Sequence, residues 1–396
     1  MITVVVCVQL SAALGYWAVM SHLVAHLRDD VGLLAGTIAL VLGLRVAVQY
    51  ALFLPLGALV DRIGPRRAGI LAGVLRAVGF GLLGVVGDVG ALVGTALLLA
   101  VGGALLHPAI QSLLAGLPAQ SRSRGFAVNV VSGQIAAVAG PPAGLVLLGG
   151  GFGFVTGVAA AAWAAAAVLF ALLGRDRAGE RRDAGGGLAR GVADVVADRA
   201  FLRFSIVAAP TTLLAAQAVT VVPLSVADPR LATVFFCVSA AVAAGVQPFV
   251  AGRAQRPWVL RGGLFCAGAS YLFLAALPVA GEWRTASLVT AAALTGLGTG
   301  LVAPGVFQAI VRRAPDGRVG VYNGLVRFMA GAVALVGGLA VGEAFDAGAA
   351  TAAMGGLAAL GFLSGAVLKH PRPARDEGSE RWEPADPTLR HEKIKP

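Results

Sequence analysis

Three pairs of polar residues stand four apart inside long apolar runs: Arg45 with Gln49, His107 with Gln111, and Asn323 with Arg327. Residues at i and i+4 share a helix face, so each pair reads as one polar stripe facing a bundle interior. Arg76 is a further cation inside such a run. Charges at bilayer depth are expensive and usually serve a pathway. These arginines could meet an anionic or carbonyl-rich solute, or water in a cavity. The competing reading has them bonding backbone carbonyls and bracing helices, and it suits Arg76, which has no polar neighbour on its own face. Tyr16 and Trp17 either line a cavity for aromatic solutes or simply pack. Asn129 and Gln308 complete the candidate cavity set.

Proton chemistry is less well provided for. A carboxylate buried mid-helix is the usual carrier, and the first apolar run holds none. The candidates are His22 and His107, which can titrate near neutral pH, and Asp61. A lone membrane histidine also serves to bond a neighbouring helix. Arg45 and Asp61 are sixteen residues apart, or ~24 Å along one helix, so they form no salt bridge. Catalytic constellations are absent. No phosphate-binding Gly-x-x-x-x-Gly-Lys loop and no zinc-helix motif occurs. Cys7, Cys237 and Cys266 lack metal-ligand spacing and read as small buried apolar residues. The chain is therefore expected to be no enzyme and to need no metal or cofactor.

The elements that must position these residues are apolar helices. Of 396 residues, 58% are hydrophobic and 13% charged, far from the ~25% charged of soluble domains. Runs such as 91–109 and 151–174 are long enough to cross a bilayer, which needs ~20 helical residues. About twelve such runs follow one another, the first starting directly at Met1. It is too long for a signal-peptide core and reads as the first span. The expected fold is all-α and integral to the membrane, with about twelve transmembrane helices in two six-helix bundles. The expected divisions are a first bundle over 1–173, a central cytoplasmic loop over 174–199, a second bundle over 200–369, and a disordered cytoplasmic tail over 370–396. The net charge of +11 does not point to nucleic acid, because the basic residues sit in short connections. With the N-terminus in the cytoplasm, the inner connections hold most arginines, including seven from Arg175 to Arg203, and the outer ones only Arg28, Arg230 and Arg284. That bias places both termini in the cytoplasm of a plasma or inner membrane.

The halves also resemble each other. Gln111 precedes Pro118 by seven residues and Arg124 precedes Asn129 by five; Gln308 precedes Pro315 and Arg318 precedes Asn323 by the same steps. Duplicated bundles with a site between them are a transporter design. The connection after the second run reads Gly57-Ala-Leu-Val-Asp61-Arg62-Ile-Gly64-Pro-Arg66-Arg67. It resembles the loop motif of the major facilitator superfamily. Gly140-Pro141-Pro142-Ala-Gly144 resembles, in part, the Gly-Pro-x-x-Gly-Gly motif of that superfamily's drug:proton antiporters, with Leu145 in place of the last glycine. The resemblance implies two bundles rocking about a central cavity, with Asp61 latching one state. It implies export of a small organic compound in exchange for protons by a monomer in a lipid bilayer. Two alternatives stay open: an uptake permease or facilitator for an organic anion, and a membrane sensor or scaffold that does not transport.

Overall fold

In lipid every backbone polar group must be satisfied by the protein itself, and continuous apolar runs of ~20 residues, too long for barrel strands, meet that demand as helices. The computed structural model describes residues 2–173, 193, 195–250, 253, 256–314 and 319–368. Twelve long helices run through them: α1 (Ile2–Ala25), α2 (Ala35–Ile63), α3 (Pro65–Leu83), α4 (Val89–Ala115), α5 (Ala119–Leu147), α6 (Phe152–Leu172), α7 (Arg199–Ser225, in two segments that meet at Ala209), α8 (Pro229–Val250), α9 (Pro257–Ala275), α10 (Arg284–Arg313), α11 (Val319–Asp346) and α12 (Ala350–Val367). Eleven spans are long and apolar enough to cross a membrane. The exception is α3, which carries Arg66, Arg67 and Arg76 in 19 residues. The expected central loop and tail lie almost wholly outside the described residues.

Two large apolar cores organise the helices. One gathers buried residues of α1 to α4 and α6, among them Phe80, Trp163 and Phe170; the other gathers those of α7 to α12, among them Phe201, Phe235 and Tyr271. Lipid tails are as apolar as leucine, so helices associate through close packing of small residues. A side chain on Gly73 would run into Ala167 of α6, and one on Gly361 of α12 into Gly268 of α9.

The two groups meet chiefly along α2 with α11 and α5 with α8. At the α2 N-terminus, a Cβ on Gly342 would lie 2.7 Å from Gly36 Cα. Further along, one on Gly331 would lie 3.1 Å from Ala47 Cα, and one on Gly324 3.7 Å from Leu54. The pair is thus tightest at the start of α2 and loosens toward its end. The α5–α8 contact uses a proline. Pro142 has no N–H, so it leaves the Val138 carbonyl without its helical partner. The Cys237 thiol of α8 donates to that oxygen at 3.5 Å.

Candidate functional site

A cavity of about 480 Å³ lies between the two groups of helices. Tyr16, Arg45 and Tyr50 line it from one side, and Gln217, Asn323 and Arg327 from the other. Much of the remaining wall is apolar, including Leu42, Val46, Leu264 and Val302. A smaller chamber of about 270 Å³ lies within the first group, between α1, α2, α3, α4 and α6. Tyr16, Arg45, Gln49, Arg76, His107 and Trp163 line it. The two spaces share the wall formed by Tyr16, Arg45, Val46 and Tyr50.

The cations are stacked on aromatic rings. Arg45 donates from Nη2 to the Tyr16 hydroxyl at 3.1 Å, and its guanidinium lies 5.5 Å from that ring's centre. Arg76 lies 5.7 Å from the same ring and 4.7 Å from Trp163. Across the cavity, Arg327 lies 5.3 Å from Tyr50 and 5.2 Å from Phe53. Phe53 also packs on His107, with ring centres 5.8 Å apart. Cation–π contacts favour a desolvated cation but supply no hydrogen-bond acceptor. Among the described residues, no Asp or Glu lines either space.

Seven of the sequence candidates therefore come together: Tyr16, Trp17, Arg45, Gln49, His107, Asn323 and Arg327. Gln111, Asn129 and Gln308 line neither space. Arg76 joins the set through neighbours on other helices, which its own helical face does not display. Gln217, Thr211, Thr212 and Thr299 do not stand out in the sequence; their signal is a polar residue inside an apolar run, which many packing threonines also give. Thr299, for example, returns its hydroxyl to the Thr295 carbonyl at 3.0 Å.

The other candidates sit away from the cavity. His22 is buried between α1 and α5, its Nε2 3.1 Å from the Pro141 carbonyl. A side chain on Gly140 would strike Trp17, and one on Gly144 would strike Ala18 and His22. The Gly-Pro motif thus forms the seat of α1 on α5. In the other motif, Gly64 has φ +88° at the turn from α2 to α3, a conformation that favours glycine. Pro65 starts α3, where its missing N–H costs nothing. Arg66 donates from Nε and Nη2 to the Ala171 carbonyl near the end of α6, at 3.2 and 2.6 Å. Arg62 and Arg67 lie at this turn, and Gly57 has open space about it. The Asp61 side chain lies outside the described residues.

Two carboxylates organise the rims. At the α2 N-terminus, Asp346 of α11 accepts from the Ala35 and Gly36 N–H groups at 2.8 and 2.7 Å. It meets otherwise unsatisfied donors at the positive end of the α2 dipole. At the other end, Asp198 caps α7 through the Phe201 N–H at 3.1 Å and accepts from Arg313 at 2.7 and 2.8 Å. Tyr322 adds its hydroxyl at 3.4 Å. Burial pushes the Asp198 carboxyl up, but Arg313, the Phe201 N–H and Tyr322 outweigh it and hold the group below its ordinary range.

This architecture has a sequence counterpart: residues 5–338 match the family model described as Major Facilitator Superfamily. The chain belongs to the Major Facilitator Superfamily. Among relatives of this transporter, an uncharacterized MFS-type transporter of Mycobacterium tuberculosis is 28% identical over 356 residues, covering 86% of this chain and 84% of the relative. Multidrug resistance protein MdtH of Shigella dysenteriae is 26% identical over 344 residues, covering 85% and 84%. A crystal structure of the peptide transporter POT in complex with sulfate superimposes with a TM-score of 0.76 at 17% identity, covering 93% of each chain. The nucleoside transporter NupG does so with a TM-score of 0.75 at 12% identity, covering 93% and 98%. At these identities the superpositions show a shared fold. It is that of a multi-pass membrane transporter with all its described elements helical.

Proposed function

We propose that this transporter exports a small organic compound in exchange for protons, by alternating access, as a monomer in a plasma or inner membrane with both termini cytoplasmic. The observation that carries this reading is a cavity walled by both groups of helices, beside a rim where Asp346 binds one group to the other. Breaking that contact while the helices close at the opposite rim would move the cavity's opening across the membrane. Export is supported by the relatives named multidrug resistance proteins. The arginine-rich connections support the orientation, and with it a division into bundles at 1–173 and 200–369. Proton coupling falls to His107 in preference to His22, because His107 faces the polar chamber and His22 is bound to Pro141. Asp61 and its motif are assigned to gating.

The test is reconstitution in sealed vesicles with an imposed pH gradient and a panel of labelled solutes. Gradient-driven antiport is expected. Solute flux indifferent to the gradient removes the proton from the mechanism.

A second reading, a facilitator for an organic anion, is favoured by Arg45, Arg76 and Arg327 facing spaces that no described carboxylate lines. An inside-negative potential alone would push such an anion outward by ~2.3 kcal/mol per charge per 100 mV. Flux that follows the imposed potential and ignores the pH gradient selects it.

A further inference from the structure

The smaller chamber sets two guanidiniums and an indole beside Gln9, Gln49, His107 and two tyrosines. Three of its buried polar atoms have no hydrogen-bond partner: Arg45 Nε, Arg76 Nε and Trp163 Nε1. All three can only donate. Arg76 is 6% exposed and Trp163 1%, so bulk water does not serve them. Both guanidiniums lie within 5.7 Å of the Tyr16 ring centre, and no carboxylate is among the described residues of the chamber wall. Buried charges are normally paired, and a buried donor left unmade is costly. A compact anion with several acceptor oxygens would neutralise the two guanidiniums where they face the chamber, and guanidinium forks hold such groups well.

The adjoining space supplies the rest of the ligand. Past the shared wall of Tyr16, Arg45, Val46 and Tyr50, the larger cavity is mainly apolar and bordered by aromatic faces. Its volume is in the range of sites for small organic molecules. Arg327 stands on the far side of Tyr50 as a third cation.

We propose that the substrate is an amphipathic organic anion, with its carboxylate between the Arg45 and Arg76 guanidiniums and its aromatic or apolar body in the cavity between the two groups of helices. This names the substrate class of the proposed transport site and rests on that reading. Simple bracing by Arg76 and Trp163 accounts for their stacking. It does not account for two guanidiniums lining one chamber, nor for a wall whose described residues include no acid.

The test uses the full chain in phosphatidylcholine nanodiscs and three probes of one shape: naphthoate, naphthylmethylammonium and naphthylmethanol. Naphthoate should bind at least about tenfold more tightly than the other two. Arg45→Gln should abolish that preference, and Arg45→Lys should retain part of it, since charge and fork geometry together set it. Thermal unfolding of each variant checks that it is folded. Equal binding of the three probes, preference for the ammonium, or an unchanged preference in Arg45→Gln each overturns the anion site. So does binding of none. Competition by phosphatidylglycerol, added in a parallel arm, would place the same chemistry on a lipid headgroup instead of a free solute. Flux in vesicles separates the two readings. Movement of the ammonium without naphthoate sinks the anion site and spares transport; naphthoate binding with no flux keeps the site and removes transport.

Discussion

The two rims use carboxylates in opposite ways. At the start of α2, Asp346 reaches between the two groups of helices and caps a helix 310 residues away in sequence. At the other end, Asp198 binds Arg313 and Tyr322, all within the second group. The first contact must break if the groups rock apart there. The second can travel intact, tying the ends of α7, α10 and α11 into one moving body. Under the proposed rocking, a charge that crosses the interface would act as a switch, while one that stays within a body would act as a brace.

Removing the brace should have the largest effect. Asp198→Ala loses a helix cap and the bidentate contact with Arg313, costing about 2–3 kcal/mol. Thermal unfolding in detergent should show this as a lowered midpoint, with the α2–α11 rim unaltered. The same residue gives a pH dependence. Its carboxyl is held low in the folded protein, so its contribution is present above the ordinary value of about 3.9 and lost as pH falls further. Arg313→Gln should flatten that acid branch of the stability curve; an unchanged branch would place the acid sensitivity elsewhere.

Forcing the switch apart comes next. Gly342→Val would drive a side chain into Gly36 and Ala39, and α2 and α11 must separate to accommodate it, at about 1–3 kcal/mol. Ala39 is 2% exposed in the closed rim. In a background without native cysteines, Ala39→Cys should therefore react faster with an impermeant maleimide applied from the α2 N-terminal side. Asp346→Ala should produce the same labelling change more weakly, since a lost helix cap costs about 0.5–2 kcal/mol. Labelling unaltered by either substitution would end the distinction between switch and brace.

The smallest effect belongs to Cys237→Ala. Its thiol is a weak donor to Val138, and its loss should lower stability by about 0.5 kcal/mol or less. A larger shift would make the α5–α8 contact a second crossing device.

The functional residues are legible in the sequence to unequal degrees. Arg45, Gln49, His107, Asn323 and Arg327 stand out because two polar side chains four apart in an apolar run share one helix face, and lipid would penalise that face. Arg76 reads as a brace because its partners, Tyr16 and Trp163, lie on α1 and α6. Asp346 reads as the end of a helix, for nothing near it in sequence identifies the α2 N–H groups as its target. Gln111 and Gln308 follow the same pattern logic as the cavity residues, yet they line neither space.

Composition and run length alone determined the solvent, the helical class and the approximate number of spans, because lipid leaves apolar runs of this length no other backbone solution; the recurring spacings of Gln111, Arg124, Gln308 and Arg318 pointed to the duplicated plan. The loop motif likewise pointed to the superfamily. Tertiary packing decided which cations converge, which donors go unmet and which carboxylate crosses between the groups. Those facts depend on helix rotation and tilt, which small-residue contacts such as Gly36 on Gly342 set closely and which no local pattern encodes.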